Sequence, residues 1–222
     1  MTHSRSRPSL GRLHVITDEV LQARFSHGEV ARLAIAGGAD AIQYREKRPL
    51  LTREMVAAAR DVVSACRTCG ATAIVDDRAD IAFAVEADAI HLGRNDLTVK
   101  AARQLLGATM LIGGTANSIE EARAVFATPV DYIGVGPVFG TASKANPAEE
   151  MGLATLGKIC AESPVPVIAI GNITAGRVAD VLGAGAYGVA VLSGITCAPD
   201  PAAAARAYAE RVRAFLANGG AE

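Results

Sequence analysis

The sequence predicts a single (β/α)8 TIM barrel, in which parallel strands and helices alternate along one chain. Eight short apolar runs, rich in β-branched residues, are separated by amphipathic stretches of helical periodicity. The runs lack a clean polar alternation, as expected of parallel strands that are buried on both faces. A doubly wound open sheet is less favoured, because no GxGxxG motif opens a helix after the first strand.

The predicted strands begin near Leu13 (LHVIT), Ala41 (AIQYR), Thr72 (TAIVD), Ala89 (AIHLG), Met110 (MLIGG), Tyr132 (YIGVGPV), Pro166 (PVIAIG) and Tyr187 (YGVAVLSG). Three similar phrases lead from a helix end into the next strand: AGGAD at 36–40, VEADAI at 85–90 and GAGAYGV at 183–189. This recurrence favours a repeated strand–helix unit over two unrelated halves.

The predicted helices include residues 29–36, 52–66, 98–106, 118–126, 153–161, 175–182 and 201–216. Ser118 and Glu121 have the spacing of a capping box, and Thr98 and Thr174 are further N-cap candidates. Glycines stand where three helices should end: Gly70, Gly107 and Gly183.

Composition limits the classes of function. The 222 residues carry 22 basic and 23 acidic side chains, a net charge of −1, so no basic field for nucleic acid or an acidic membrane is expected. No apolar run is long enough for a signal peptide or a membrane span, which predicts a cytoplasmic protein. The four cysteines include one CxxC pair, Cys66 and Cys69, which closes a helix and lacks a second pair for zinc. We interpret it as structural.

The chain has no linker or low-complexity tract, which predicts one domain. Residues 1–10 are polar and basic and are expected to form a disordered tail, and residues 11–218 to form the barrel. Whether the chain forms a homo-oligomer is left open by the sequence. The four histidines have no nucleophile or ligand partner in the sequence, and we interpret them as structural.

The second predicted strand ends in QYREK, which is the most informative segment of the chain. Gln43, Arg45 and Lys47 are spaced by two, so their side chains should point to the same side. Inside a barrel, two neighbouring cations repel unless an anion lies between them, and a phosphate or diphosphate ester supplies enough charge. An alternative is a strand end with solvated charges.

Asp77 and Asp96 lie one strand–helix unit apart, at the ends of the third and fourth strands. Because carboxylates repel at close range, a hard divalent cation such as Mg²⁺ fits between them, with a diphosphate supplying further oxygens. Capping of the helix that follows each aspartate is the alternative.

The remaining strand ends favour a phosphorylated ligand. The ends of strands seven and eight often form a phosphate site in barrels, and Gly171, Ser193 and Gly194 stand there. The connection 139–151 is long for a βα loop and contains Lys144, which suggests a cationic lid; an ordinary surface excursion is the alternative.

Five ordered segments, QYREK, VDDRADIA, HLGRNDL, YIGVGPVFGTASK and VIAIGNIT, spread over nearly the whole chain. In these segments the sequence resembles the thiamine phosphate synthase family and the related thiazole tautomerases. The synthases couple 4-amino-2-methyl-5-hydroxymethylpyrimidine diphosphate with a thiazole phosphate and release diphosphate. The resemblance therefore implies a TIM barrel, Mg²⁺ as cofactor and phosphorylated small molecules as partners.

The resemblance also implies residue roles. Asp77 and Asp96 would bind Mg²⁺, and Arg45, Lys47 and Lys144 would be catalytic. The implied substrate-binding residues are Gln43, Tyr44, Arg45, Glu46, Lys47, Asp76, Thr115, Thr141, Ala142, Ser143, Lys144, Gly171, Leu192 and Ser193.

The sequence departs from the family pattern at four positions: Asp76 replaces an asparagine, Thr115 a serine, Asn117 a histidine and Asn172 a glycine. Thiazole tautomerases tend to lack the metal carboxylates and use a histidine near the end of strand five for proton transfer. Asn117 cannot carry protons at neutral pH, so the synthase is favoured over the tautomerase. A noncatalytic phosphate-binding barrel is disfavoured by Lys144 and the paired aspartates.

Overall fold

The structure is a computed structural model that describes residues 8–140 and 149–219. Its strands are β1 (Leu13–Thr17), β2 (Ala41–Tyr44), β3 (Thr72–Asp76), β4 (Ala89–Leu92), β5 (Leu111–Ala116), β6 (Tyr132–Val135), β7 (Val167–Ile170) and β8 (Gly188–Val191). All eight pair in parallel in chain order, and β8 pairs with β1 to close the barrel. The prediction of a TIM barrel is confirmed.

Helices surround the barrel: α1 (His27–Ala36), α2 (Thr52–Cys69), α3 (Ala79–Ala84), α4 (Val99–Leu106), α5 (Ile119–Phe126), α6 (Gly152–Glu162), α7 (Val178–Gly183), α8 (Ser193–Thr196) and α9 (Pro201–Ala217). A 3-10 turn, Ala175–Arg177, precedes α7. The short helices α3 and α8 lie outside the predicted helical stretches, because four to six residues carry too little periodicity to be recognised.

The predicted helix ends agree with the local geometry. Thr98 accepts a hydrogen bond from Ala101 N at 3.2 Å, and Ser118 accepts one from Glu121 N at 3.2 Å. Gly70 ends α2 with φ +73°, a left-handed conformation that glycine adopts without a steric cost. Thr174 precedes the 3-10 turn, but its side chain makes no capping hydrogen bond.

The core has two layers. Apolar residues between the strands and the helices form the larger one, and the barrel interior contains two smaller clusters. The lower interior cluster contains Ala41, Ile74, Ala89 and Leu111, close to the strand starts, and Leu10 packs against both interior clusters. Leu10 belongs to the predicted tail, of which residues 1–7 lie outside the described part of the chain.

Tyr132 fills the middle of the barrel. It is fully buried, and it packs with Ile16, Ile168 and Ala190 in the upper interior cluster. A Cβ atom built on Gly113 would overlap the Tyr132 ring, so the glycine makes room for this side chain. The ring is tightly packed on the side that faces Gly113, so it cannot move away cheaply.

Among the described residues, no helix combines the length and the apolar character that crossing a bilayer would require.

Because the Tyr132 ring leaves no room for a Cβ at residue 113, Gly113→Ala should destabilise the barrel by about 1–3 kcal/mol through overpacking. Gly157→Ala is the matched control: Gly157 lies inside α6, and its added Cβ would meet only Ala184 O, at 3.5 Å. That variant should be neutral or more stable by about 0.5–1 kcal/mol, because alanine favours the helix. Urea unfolding of both variants measures the difference. Equal stability of the two would show that the Tyr132 ring is not confined.

Candidate functional site

A cavity of about 470 Å³ opens where the strands end, and every strand or the loop after it contributes to its wall. The structure brings most of the sequence-predicted site residues to this one pocket: Gln43, Arg45, Lys47, Asp76, Asp77, Asp96, Thr115, Gly171, Leu192 and Ser193. The site therefore lies at the carboxyl ends of the barrel strands, as expected for this fold.

The end of β2 shows the predicted alternation. Gln43, Arg45 and Lys47 line the pocket, whereas Tyr44 and Glu46 point into the helix layer. The Tyr44 ring packs against His27 at 4.7 Å, and Glu46 pairs with His27 at 3.1 Å. The side chains of Tyr44 and Glu46, predicted to bind substrate, are thus not brought to the pocket, because neighbours along a strand point to opposite faces.

Glu46 belongs to a buried polar network behind the pocket wall. Its carboxylate accepts hydrogen bonds from the guanidinium of Arg48, and Arg48 also pairs with Glu19 at 2.6 Å. Burial works to raise the pKa of Glu46, but these hydrogen bonds outweigh it and hold the pKa at about 2. The network anchors the backbone that carries Arg45 and Lys47.

Arg45 lies between two carboxylates. Its Nη1 donates to Asp18 Oδ2, and its Nε lies 3.7 Å from Asp76 Oδ2. The sequence interpretation missed Asp18, because a single aspartate after a strand is an ordinary turn residue. His14 and Ile16 line the pocket, and residues spaced by two along a strand point to the same face. This alternation could have indicated that the Asp18 side chain also points inward.

Lys47 contacts two further carboxylates. Its Nζ donates to Asp77 Oδ2 and lies 3.6 Å from Asp76 Oδ2. The ion pairs of Arg45 and Lys47 thus join two cations to three carboxylates. Once all three carboxylates are ionised, this group therefore carries more negative than positive charge, even before Asp96 is added.

Asp76 is also largely buried, with a side chain that is 10% exposed. Burial, followed by the neighbouring Asp77 carboxylate, raises the pKa of Asp76 to about 7, against the opposing effects of Lys47, Arg45 and the hydrogen bond from Gln43. Gln43 Nε2 donates a hydrogen bond to Asp76 Oδ1 at 2.6 Å. Asp76 is therefore held in place by the strand that carries the two cations.

Asp77 and Asp96 meet across Gly93. A Cβ built on Gly93 would lie 2.9 Å from Asp96 Oδ2 and 3.9 Å from Asp77 Oδ1, so the glycine lets both carboxylates approach. Burial, followed by the Asp77 charge, raises the pKa of Asp96. Burial also works to raise the pKa of Asp77, but contact with Lys47 brings it below its usual value.

Helix capping does not account for these two aspartates. The N-cap residue of α3 is Arg78 and that of α4 is Thr98, and the Asp77 carboxylate contacts Lys47 instead. Asp96 Oδ2 accepts a hydrogen bond from Gly93 N at 2.7 Å, which closes the turn after β4.

This arrangement fits a Mg²⁺ ion better than a fully protein-coordinated metal. Within residues 8–140 and 149–219, no three His, Cys, Asp or Glu side chains are grouped closely enough to hold a metal. Mg²⁺ usually binds through one or two carboxylates together with waters and substrate phosphates. Asp77 and Asp96 could supply such a pair, because both carboxylates lie beside Gly93.

The floor of the pocket is polar, which the sequence interpretation did not expect. His91 Nε2 lies 2.9 Å from Thr115 Oγ1, and His91 Nδ1 lies 3.3 Å from the Tyr132 hydroxyl. The Thr115 hydroxyl can also donate to Leu92 O at 3.1 Å. His14 and His91, interpreted as structural, both line the cavity. Because His91 pairs with Asp76 in the register of β3 and β4, it lies next to Asp76 on the pocket side of the barrel. The sequence of β4 alone does not show which residue of β3 it pairs with.

The opposite wall comes from β5 to β8. Gly171 has φ +109°, and a Cβ there would collide with Pro137, so only glycine fits beside the pocket. Leu192 and Ser193 follow β8 at the start of α8. The Asn117 amide donates a hydrogen bond to Gly136 O and so holds the rim of the pocket. An amide does not act as an acid or base at neutral pH, unlike a histidine. Thr141, Ala142, Ser143 and Lys144 lie outside the described residues.

Comparison with known proteins gives one consistent result. The model of the thiamine monophosphate synthase family matches residues 13–195. The chain is 48% identical over 198 residues to the thiamine-phosphate synthase of Salinibacter ruber, covering 89% of this chain and 87% of that protein. It is 44% identical to that of Methanoculleus marisnigri, covering 93% and 98%. A solved structure of thiamine phosphate pyrophosphorylase from Pyrococcus furiosus superposes with a TM-score of 0.84 at 36% identity, covering 92% and 96%.

His14 on the pocket floor predicts a pH-dependent stability. Burial lowers the pKa of His14 from 6.5 to about 4, against the opposing effects of the Gly11 and Leu10 carbonyls and of Asp40. Between these values the unfolded chain binds more protons than the folded one, so stability falls as the pH falls. Wild type should therefore lose about 1–2 kcal/mol more than His14→Gln between pH 7 and pH 5. Urea unfolding at the two pH values tests this, and parallel losses would contradict it.

Proposed function

The chain belongs to the thiamine monophosphate synthase family, and we propose that its pocket performs the family reaction with Mg²⁺ held by Asp77 and Asp96. The protein is an enzyme of thiamine biosynthesis that forms thiamine phosphate from a pyrimidine diphosphate and a thiazole phosphate. The assignment of roles to individual residues is the proposed part.

The observation that carries the proposal is the balance of charge around Arg45 and Lys47. Two cations share three carboxylates, so both cations are already paired and carry no excess positive charge for a diphosphate ester. A divalent cation held by Asp77 and Asp96 would supply the positive charge that the paired side chains do not offer. When bound, Mg²⁺ would neutralise charge on the diphosphate oxygens as the leaving group departs.

Arg45 and Lys47 are the described cations that contact this carboxylate set. Lys47 is 39% exposed at its side chain and Arg45 16%, so Lys47 has more freedom to reorient. We propose that Lys47 leaves the Asp77 carboxylate and donates to the diphosphate when substrate and metal bind. Lys144, assigned by the family resemblance, would add a third cation.

Bond cleavage can proceed without a protein nucleophile in this pocket. The aminopyrimidine ring can share the positive charge that develops as the carbon–oxygen bond breaks, so the main need is to stabilise the departing diphosphate. Gln43 and Thr115 would contact the pyrimidine. Gly171 and the Leu192–Ser193 backbone, together with Thr141 to Ser143, would hold the thiazole phosphate. The reacting nitrogen and carbon are then brought into line.

The substrates also bear on location and partners. Phosphorylated intermediates do not cross membranes unaided, so a cytoplasmic location and small-molecule partners are proposed. Nucleic acid is not an expected partner, given the net charge of −1. An oligomer of identical chains is compatible with the proposal but not required by it.

The direct test is incubation of the purified protein with the pyrimidine diphosphate and the thiazole phosphate, with Mg²⁺ or with a chelator. We expect thiamine phosphate and diphosphate to form only with Mg²⁺, because Arg45 and Lys47 are paired with carboxylates and the departing diphosphate needs a further positive charge. Product formation at equal rates in the chelator would overturn the metal assignment. Absence of product in both would leave a phosphate-binding barrel.

Asp96→Asn tests the metal site by itself. We expect the variant to remain folded and to need at least about tenfold more Mg²⁺ for half-maximal turnover, which corresponds to about 1.4 kcal/mol. Asp61→Asn, which removes a surface carboxylate paired with Arg32, is the matched control and should leave the requirement unchanged. Titration of turnover with Mg²⁺ and thermal unfolding measure both. A melted Asp96 variant would instead identify a structural role in the Gly93 turn.

A further inference from the structure

Asp18 is a buried acid to which the proposed mechanism assigns no role beyond its charge. Its side chain is 1% exposed, and it follows directly on β1. Its Oδ1 accepts hydrogen bonds from Val20 N at 2.7 Å and Leu21 N at 3.1 Å, while its Oδ2 accepts from Arg45 Nη1. One carboxylate thus joins a backbone turn to a pocket cation.

The barrel register explains why these two side chains meet. Thr17 pairs with Tyr44 at the ends of β1 and β2, so Asp18 and Arg45 are the next residues after this pair on the two neighbouring strands. Thr17 bonds to His27 in the helix layer, at 2.6 Å. By alternation Asp18 points inward, as His14 and Ile16 do.

We propose that Asp18 is a positioning residue for the reaction, which holds the guanidinium of Arg45 in the orientation that meets the diphosphate. This inference rests on the proposed function of the pocket. Asp18 occupies Nη1, and Asp76 lies nearest to Nε. Nη2 has no hydrogen-bond partner in the part of the chain that the structure describes, and it remains for the ligand.

A simple counter-charge role does not explain this contact. A buried carboxylate beside Arg45 repels a diphosphate and therefore weakens ground-state binding. Its benefit must come from geometry: a guanidinium already held in place need not be ordered when charge develops on the leaving group. Asp18 should therefore affect the turnover rate more than the affinity for the substrate.

The chemistry of the side chain allows a clean test. Aspartate offers acceptors on both sides, one for the turn and one for Arg45. Asparagine can satisfy only one side: we expect its single oxygen to accept from the Val20 and Leu21 N–H groups, so that its amide nitrogen faces the Arg45 donors. Asp18→Ser can still accept from the turn N–H groups, but it is too short to reach Arg45.

Asp200→Asn is the matched control. Asp200 also accepts two backbone hydrogen bonds, from Ala202 N and Ala203 N at 3.0 Å, but it is exposed and lies outside the pocket wall. Replacing it changes a carboxylate of the same local type without touching Arg45. Thermal unfolding of all variants reports any loss that comes from the turn alone.

The experiment measures kcat and the KM for the pyrimidine diphosphate. We expect Asp18→Asn and Asp18→Ser to lower kcat at least tenfold while KM changes less than threefold, and Asp200→Asn to leave both unchanged. In an Arg45→Ala background, Asp18→Asn should lower kcat less than twofold, because the guanidinium it positions is gone. A raised KM at unchanged kcat, or a full tenfold loss in that background, would overturn the proposal. Unfolding of both Asp18 variants at the assay temperature would also overturn it.

A readout without turnover separates this inference from the proposed function. The guanidinium N–H resonances of Arg45, assigned by Arg45→Lys, should show slow rotation in wild type and fast rotation in both Asp18 variants. Equal rotation in wild type and the Asp18 variants would refute the positioning role even if the enzyme is active. Slow rotation in wild type alone would support it even if thiamine phosphate is not formed.

Discussion

The site depends on one constraint, the placement of two cations among carboxylates at the ends of β1 to β3. Arg45 lies between Asp18 and Asp76, and Lys47 lies against Asp77. Placing these charges in a largely buried site is tolerated only because each has an opposite partner. The same pairing occupies both cations, which is the reason for our proposal that the anionic substrate binds together with a divalent cation.

Inside the barrel, apolar side chains lie near the strand starts and polar side chains lie near the strand ends. Inward positions near the strand starts pack Ala41, Ile74 and Leu111 into a small apolar layer. Inward positions at the strand ends carry the charges, and between the two lies a polar floor of His91 and Tyr132. The outward positions belong to the large apolar layer under the helices, so changes in the pocket need not disturb the main core.

The buried network behind β2 links the two layers. Glu46 stands between Arg45 and Lys47 in sequence but faces the opposite way, where it binds Arg48 and His27. Burial lowers the pKa of His27, against the opposing effects of Glu19 and Glu46, and so favours the neutral imidazole. Contacts on the outer face of the strand restrict the backbone that carries Arg45 and Lys47. A restricted backbone suits a site that must stabilise developing charge without rearranging.

The sequence by itself determined the barrel, the strands and the group of residues that meet at its rim. Local signals suffice for this: apolar runs of strand length, capping residues such as Thr98, and alternation through Gln43, Arg45 and Lys47. Tertiary structure alone decided which side chains touch. Asp18 reached Arg45, and His91 reached Thr115, through pairing between neighbouring strands. Tyr44 and Glu46 were turned away from the pocket although they lie within the same motif. Strand pairing and burial bring together residues that are far apart in the sequence. The local pattern of residue types does not show which of these residues come into contact.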